Sequence, residues 1–249
     1  MVRKTVLFLS TALVAGSMLI PAYAADKVKV AAIAPVGDLV TEIQAKVTQL
    51  NESLANNDNY LKDKKKTIPR NAGVIAVLSQ AVLEHDQQSS AKISAADLRD
   101  AAIALAKSDS YDAAKTAFGK VKSAAEGNGA GGASKDHAWD KLIDMDSLMT
   151  EVNSRNGALR RQMRRITDAD AASRDAAVLG VLGLAIAADT HEVKSPGDKP
   201  KWEGYSYDLS AQSAKIAEAM RAKNLDASKE AFLAANKSCS ACHADFRDN

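Results

Sequence analysis

The sequence predicts an all-α fold built from two tandem four-helix bundles. Alanine is abundant, aromatic residues make up 4% of the 249 residues, and β-branched alternation is scarce, which together favour helices over strands. Apolar residues recur at helical spacing in eight segments. Three of the first four segments match three of the last four in the same order, so the chain is expected to contain one unit twice.

The first 24 residues predict a cleaved export signal. Arg3 and Lys4 precede a short apolar run, and Ala22-Tyr23-Ala24 provides a small-residue cleavage site. A membrane anchor is the alternative, but the apolar core is short for one. We therefore expect an exported, periplasmic protein that begins near Ala25 and has no membrane span.

Charge gives no reason to expect nucleic-acid binding. The chain has 33 basic and 31 acidic residues, and removing Arg3 and Lys4 with the signal leaves 31 of each. A formally neutral chain has no global attraction for nucleic acid or an anionic membrane. Basic runs at 62–66 and 160–165 are typical of solvated helix faces or loops.

The first unit is predicted to span residues 25–126. Its helices are expected over Gly37–Ala55 and Ala72–Asp86, separated by a lysine-rich loop that ends at Pro69, and then after caps at Ser94 and at Asp109 or Ser110. Glycines then interrupt the helical pattern, which predicts a linker over 127–136.

The second unit is predicted to span residues 137–249. Its helices are expected over Trp139–Arg165, from Thr167 or Asp168 to Thr190, over Leu209–Ala222, and from a cap at Asn224 to the end of the chain. A loop containing Pro196, Pro200 and Gly204 is expected before the third of these helices.

The last helix carries Cys239-Ser-Ala-Cys242-His243, the C-x-x-C-H attachment signature of a c-type haem. Residues three and four apart share a helix face, so two thiols can bond the haem vinyl groups while the imidazole binds the iron. A disulfide or half of a zinc site could use the same cysteines. The chain has no third cysteine, however, and no βαβ pattern for a thioredoxin-like motif. One covalently bound haem c is therefore predicted.

The repeat predicts that the first unit binds no haem. Residues 39–43 align with 148–152, residues 72–78 with 176–182, and residues 111–118 with 225–232. Extending the last alignment places Ala125, Asn128 and Gly129 opposite the two cysteines and the histidine of the motif.

The second unit resembles the class II c-type cytochromes, the cytochrome c′ and cytochrome c556 group. The resemblance covers about Trp139 to Arg247, and residues 239–247 are similar to the family's C-x-A-C-H-x-x-F-R/K. It implies an antiparallel four-helix bundle with haem between helices near one end. Phe232 shares the apolar stripe of the haem cysteines and faces either haem or core. Arg247 is implied to lie near His243, unless it is only a frayed terminal charge.

The resemblance also implies that the first helix of the bundle supplies the distal side of the haem. Met149 there is the candidate sixth ligand of the iron, as in the cytochrome c556 branch, and Met145, one turn earlier, is the reserve candidate. Met145 replaces an arginine that is frequent in the family, which leaves the usual haem propionate contact in doubt. The first unit has Val40 in place of Met149. Core filling is the alternative role for either methionine.

These observations leave several functions open. One-electron transfer by iron bound to His243 and Met149, with unidentified redox partner proteins, is expected first. A five-coordinate haem that binds nitric oxide or carbon monoxide is the alternative. A haem peroxidase ranks last because no distal His–Arg pair is visible, so no enzymatic activity is expected. The haem could also be mainly structural, and a homodimer is possible.

Overall fold

The computed structural model of the chain describes residues 28–87, 92–131 and 136–247, so the predicted export signal lies outside the described residues. Over these ranges the chain is helical and contains no strand, which confirms the all-α prediction. The helices are α1 (Val36–Ser53), α2 (Asn57–Asp63), α3 (Thr67–Leu83), α4 (Ala95–Ala106), α5 (Tyr111–Ala125), α6 (Met145–Gln162), α7 (Ala169–Ala188), α8 (Lys199–Arg221) and α9 (Leu225–Phe246).

Two groups of four helices build the fold. In the first half, α1, α3, α4 and α5 pack in sequence order and α1 closes against α5. In the second half, α6 packs on α7, α7 on α8 and α8 on α9, whereas α6 scarcely touches α9. This separation of the first and last helices leaves space in the second bundle, whereas α1 closes against α5 in the first.

The two halves repeat in structure as well as in sequence. Both α1 and α6 have 18 residues, and they begin and end at aligned positions. Each is preceded by a 3₁₀ turn, at Val30–Ala32 and Trp139–Lys141, and these turns also align. The repeated unit is therefore a 3₁₀ turn followed by a four-helix bundle.

Side-chain caps fix the starts of four of the eight long helices. Asp144, Asp168 and Asn224 accept the backbone N–H three residues later, at 2.9, 2.9 and 3.1 Å, as helix N-caps do. Ser110 caps α5 in the same way at 3.3 Å. Because Asp144 provides the cap, α6 begins at Met145, and the prediction of a continuous helix from Trp139 is wrong.

Two other predicted boundaries are wrong because of prolines. Pro200 and Pro69 were expected in loops, but they are the second residue of α8 and the third of α3. Proline is tolerated in the first turn, where the backbone N–H has no intrahelical partner. The predicted lysine-rich loop contains the short helix α2, whose buried Tyr60 packs its ring 5.6 Å from that of Tyr111.

The predicted linker begins as an ordered turn. Gly127 and Gly131 have positive φ angles of 81° and 64°, a conformation that glycine adopts without strain. The backbone N–H of Gly129 donates to Ser94 Oγ at 3.0 Å, so the start of this segment is attached to α4. Residues 132–135 lie outside the described residues. The predicted domain boundaries stay a prediction, and the buried apolar side chains of both halves form one continuous cluster.

One helix within the described ranges, α7, is long and apolar enough to span a membrane. Of its most apolar window, 78% is buried inside the fold. Its small residues allow close packing on α8, because a Cβ at Gly180 would lie 2.5 Å from Ile33 and 3.2 Å from the Ser210 carbonyl oxygen. The helix thus serves as the central core helix of the fold.

Candidate functional site

A cavity of about 640 Å³ opens between α6, α8 and α9. Its volume falls within the roughly 300–1,000 Å³ of pockets that hold small molecules and cofactors. Its walls are largely apolar, with Val152, Ile186, Trp202, Leu209 and Phe246 among the lining residues. Five of the six predicted site residues line it, namely Cys239, Cys242, His243, Met149 and Arg247.

The haem motif forms one wall of the cavity. Cys239 and Cys242 are half-buried free thiols on α9, and His243 lies in the last turn of the same helix. The backbone N–H of Arg247 donates to the His243 carbonyl oxygen at 3.2 Å. Arg247 therefore stands directly after the last turn, one turn from the imidazole.

Two methionines lie on the α6 wall. Met145 and Met149 are one turn apart, line the cavity and are half-buried against the core. The structure therefore brings the thiols and imidazole of α9 and the thioethers of α6 into one space. Phe232, the sixth predicted site residue, is 8% exposed in the core and is not among the residues that line the cavity.

Contacts between α8 and α9 fix the position of the motif. Ser238, next to the first haem cysteine, hydrogen-bonds Asp208 on α8. Asp245 accepts a hydrogen bond from Tyr205 at 2.8 Å and pairs with Lys201 at 2.8 Å. The motif is thus held on both sides by polar contacts to α8.

An aromatic pair and an amide pair lie at the two ends of the motif on α9. The Trp202 and Phe246 rings meet edge to face, with centroids 5.2 Å apart, and the indole N–H donates to the Ile186 carbonyl oxygen at 2.7 Å. At the other end, Asn156 on α6 donates to Asn236 on α9 at 3.0 Å. This amide pair joins the two helices that otherwise stand apart.

Burial keeps the two thiols protonated. It raises the pKa of Cys239, and it raises the pKa of Cys242 to about 11, with smaller contributions from the neighbouring Cys239 and Asp245. At neutral pH both cysteines are therefore neutral thiols rather than thiolates.

Sequence reasoning missed His191, which also lines the cavity. It lies in the loop between α7 and α8, where no motif marks it. Its Nδ1 is 2.6 Å from Asp189 and its Nε2 is 3.1 Å from Glu192. The hydrogen bond to Asp189, the largest contribution, raises the pKa of His191, so the imidazole is readily protonated at the mouth of the cavity.

The first half has no counterpart of the motif wall. Its last helix, α5, ends at Ala125, the position aligned with Cys239. The Gln44 side chain donates to the Ala125 carbonyl oxygen at 2.9 Å, and Val40, aligned with Met149, is buried in the core. The haem-free first unit stays a prediction.

The donor groups of the cavity fit a covalently bound haem. Two thiols three residues apart, an adjacent imidazole, an opposing thioether and apolar walls are the groups that c-type haem binding uses. Fold and site are thus consistent with a helical bundle of the c-type cytochrome class.

Comparison with known proteins agrees for the end of the chain. The family model described as cytochrome C′ matches residues 197–247, which contain α8 and α9. The C-terminal part of the chain is therefore consistent with a class II c-type cytochrome that binds haem. The match does not include α6, which carries Met149. No curated protein and no solved structure matches the chain.

Proposed function

We propose that this protein is an exported c-type cytochrome that carries one covalently bound haem and transfers single electrons, with His243 and Met149 as the iron ligands. One observation carries the proposal: Cys239, Cys242 and His243 of α9 and Met149 of α6 line the same cavity. Cytochrome C′ proteins are in general electron carriers or gas binders rather than enzymes.

Each wall would have a distinct task. The thiols of Cys239 and Cys242 would add to the haem vinyl groups and hold the haem on α9, while His243 supplies an axial nitrogen. When bound, the haem supplies the redox-active iron. A Met149 thioether would raise its reduction potential relative to other axial ligands. The apolar side chains between the walls would limit the access of water to the bound haem. This burial would also influence the reduction potential of the iron.

Export is consistent with this chemistry. Proteins of the cytochrome C′ family are typically exported to the periplasm, and residues 1–24 have the pattern of a signal peptide. The redox partners would be proteins. The neutral mature charge predicts that they bind without strong electrostatic steering.

Gas binding is the second candidate function, and a specific observation favours it. Within the described residues α6 scarcely touches α9, so a haem held on α9 would face the half-buried methionines of α6 across the cavity. If neither thioether binds the iron, this space is an apolar distal pocket for nitric oxide or carbon monoxide.

Mass spectrometry and absorption spectroscopy test the proposal. Protein exported together with a haem-maturation system should carry one haem per chain, and two haems or none would contradict the proposal. The ferric protein should be low-spin. Met149→Leu, which preserves volume, should convert it to a high-spin form that binds carbon monoxide readily when reduced.

Met145→Leu is the matched control, one turn away on the same cavity wall, and should leave the spectrum low-spin. A wild-type spectrum that is already high-spin, and that Met149→Leu does not change, would favour gas binding instead. If only Met145→Leu produced the conversion, the sixth ligand would be Met145.

A further inference from the structure

A buried cluster of charges joins the two halves of the chain. Glu42 and Lys46 lie on α1, and Glu151 and Arg155 lie on α6. All four are at most 8% exposed. Lys46 Nζ is 2.9 Å from Glu151, and Arg155 is 2.5 Å from Glu42. Each helix therefore provides one anion and one cation, and each charge is paired with its opposite on the other helix.

The cluster has the symmetry of a two-fold interface. The repeat alignment that makes α1 equivalent to α6 places Glu42 opposite Glu151 and Lys46 opposite Arg155. The same pairing therefore occurs twice, related by exchange of the halves. A contact in which residue i meets j and j meets i is the property of an isologous interface.

The next shell of contacts follows the same symmetry. Arg70 on α3 approaches Glu151 at 3.6 Å, and its aligned residue Arg174 on α7 approaches Glu42 at 3.9 Å. The two inner cations each have a further acceptor at aligned positions, Asn71 for Lys46 at 3.3 Å and Asp175 for Arg155 at 2.8 Å.

Each buried carboxylate of the cluster lies close to both buried cations. Glu151 is 2.9 Å from Lys46 and 2.7 Å from Arg155, and Glu42 is 2.5 Å from Arg155 and 3.9 Å from Lys46. No carboxylate of the cluster is therefore buried away from opposite charge.

Apolar contacts also cross between the halves in a reciprocal way. Ile143, just before α6, packs on α3 so closely that a Cβ at Gly73 would lie 2.6 Å from its Cγ1. Ile33, just before α1, packs on α7 at Gly180 in the same manner. The segment before α6 thus packs on α3 of the first half, and the segment before α1 packs on α7 of the second half.

These contacts matter most for α6. Within its own bundle α6 packs on α7 and scarcely touches α9, so its remaining support comes from α3 and from the charges of α1. We propose that the haem-free first half occupies the position of a second haem-binding subunit and holds α6 in place, so that the charge cluster positions Met149 over the haem. The role of Met149 rests on the function proposed above, whereas the proposal that the first half holds α6 in place does not.

The test removes the α6 pair of charges without changing net charge. In Glu151→Gln/Arg155→Gln, the remaining Glu42 and Lys46 are still 3.9 Å apart, so no inner charge is left alone. The matched control is Asp38→Asn/Arg221→Gln, which removes the pair that joins α1 to α8 at 2.5 Å, with Arg221 38% exposed. All variants are studied as the full chain loaded with haem.

Amide hydrogen exchange over residues 145–162 measures how firmly α6 is held. The cluster variant should exchange there about tenfold faster than wild type, as expected for easier local opening, while α8 changes less than about twofold. The reduced variant should also bind carbon monoxide several-fold faster, because Met149 is displaced more easily. The control variant should match wild type in both measurements.

The two proposals fail in different ways. If amide exchange in α6 is unchanged in a cluster variant that is folded and loaded with haem, the proposal that the first half holds α6 in place is overturned. A five-coordinate wild-type spectrum together with faster exchange in α6 would overturn only the role of Met149.

Cleavage of the chain provides a second test in case the cluster variant does not fold. A specific protease site inserted between Gly131 and Asp136 allows the folded, haem-loaded chain to be cut between its halves. The two fragments should co-elute in size-exclusion chromatography and keep the intact spectrum. Separation of the fragments under native conditions would overturn the proposal.

Discussion

Phe246→Leu should destabilise the haem end of the second bundle by about 1–3 kcal/mol. The Phe246 ring, 8% exposed, meets Trp202 edge to face at 5.2 Å, and such pairs contribute about 0.5–1.5 kcal/mol beyond their buried area. Leucine is smaller than phenylalanine, and the lost burial and residual cavity add about 0.5–1.5 kcal/mol. In a domain of this size each kcal/mol lowers Tm by about 2–4 °C.

Thermal unfolding of the haem-loaded protein, followed by far-ultraviolet circular dichroism, measures the effect. Leu233→Ala is the control, because Leu233 lies on the same helix and is 70% exposed; it should change stability by less than about 0.5 kcal/mol. A double-mutant cycle with Trp202→Leu should give a coupling of about 0.5–1.5 kcal/mol. If Phe246→Leu lowered Tm no more than Leu233→Ala, the conclusion that the Trp202–Phe246 contact stabilises the packing of α8 on α9 would be wrong.

Three further predictions concern charge and the haem motif. The hydrogen bond to Asp189 raises the pKa of His191. Its contribution to stability is therefore fully present below about pH 6.5 and is lost as pH rises through the folded pKa. Asp189→Asn should return the pKa of His191 toward 6.5 in a nuclear magnetic resonance titration. Burial alone would raise the pKa of Glu151, but the neighbouring cations lower it. The contribution of its ion pairs to the free energy of unfolding is therefore fully present above about pH 4.5 and is lost as pH falls through the folded pKa. The stability of Glu151→Gln should depend less on acid pH than that of wild type. Replacing Cys239 and Cys242 together by alanine should abolish covalent haem, detected by mass spectrometry, whereas a haem that stayed attached would contradict the proposed thioether bonds.

Local sequence signals indicated which residues of the last helix share one face, whereas their role in haem binding stays a prediction. The spacing of Cys239, Cys242 and His243 determines their placement on one helix face, so their common position on the cavity wall follows from helix geometry. The position of Met149 on the facing wall followed from the resemblance to class II cytochromes. His191 reaches the same cavity from a loop, and no local pattern indicates where a loop residue will lie.

The boundaries that were wrong depend on position within the helix rather than on composition. Pro69 and Pro200 suggested loops, but a first-turn proline breaks no intrahelical hydrogen bond. The charge cluster was within reach of the sequence, because the repeat alignment pairs Glu42 with Glu151 and Lys46 with Arg155. Nothing in one helix, however, shows that its charges are buried by a partner helix more than a hundred residues away.

The early end of α5 limits how the first half can be re-engineered. A C-x-x-C-H motif grafted by substitution at 125–129 would fall beyond the helix, where Gly127 turns the chain at positive φ and a Cβ would lie 2.6 Å from the Lys92 carbonyl oxygen. Gln44 already bonds the last carbonyl group of α5. Building such a helix there would require extending α5 by about two turns and removing the Gln44 side chain, so the backbone of the first half, and not only its lack of cysteines, disfavours a C-x-x-C-H site at this position.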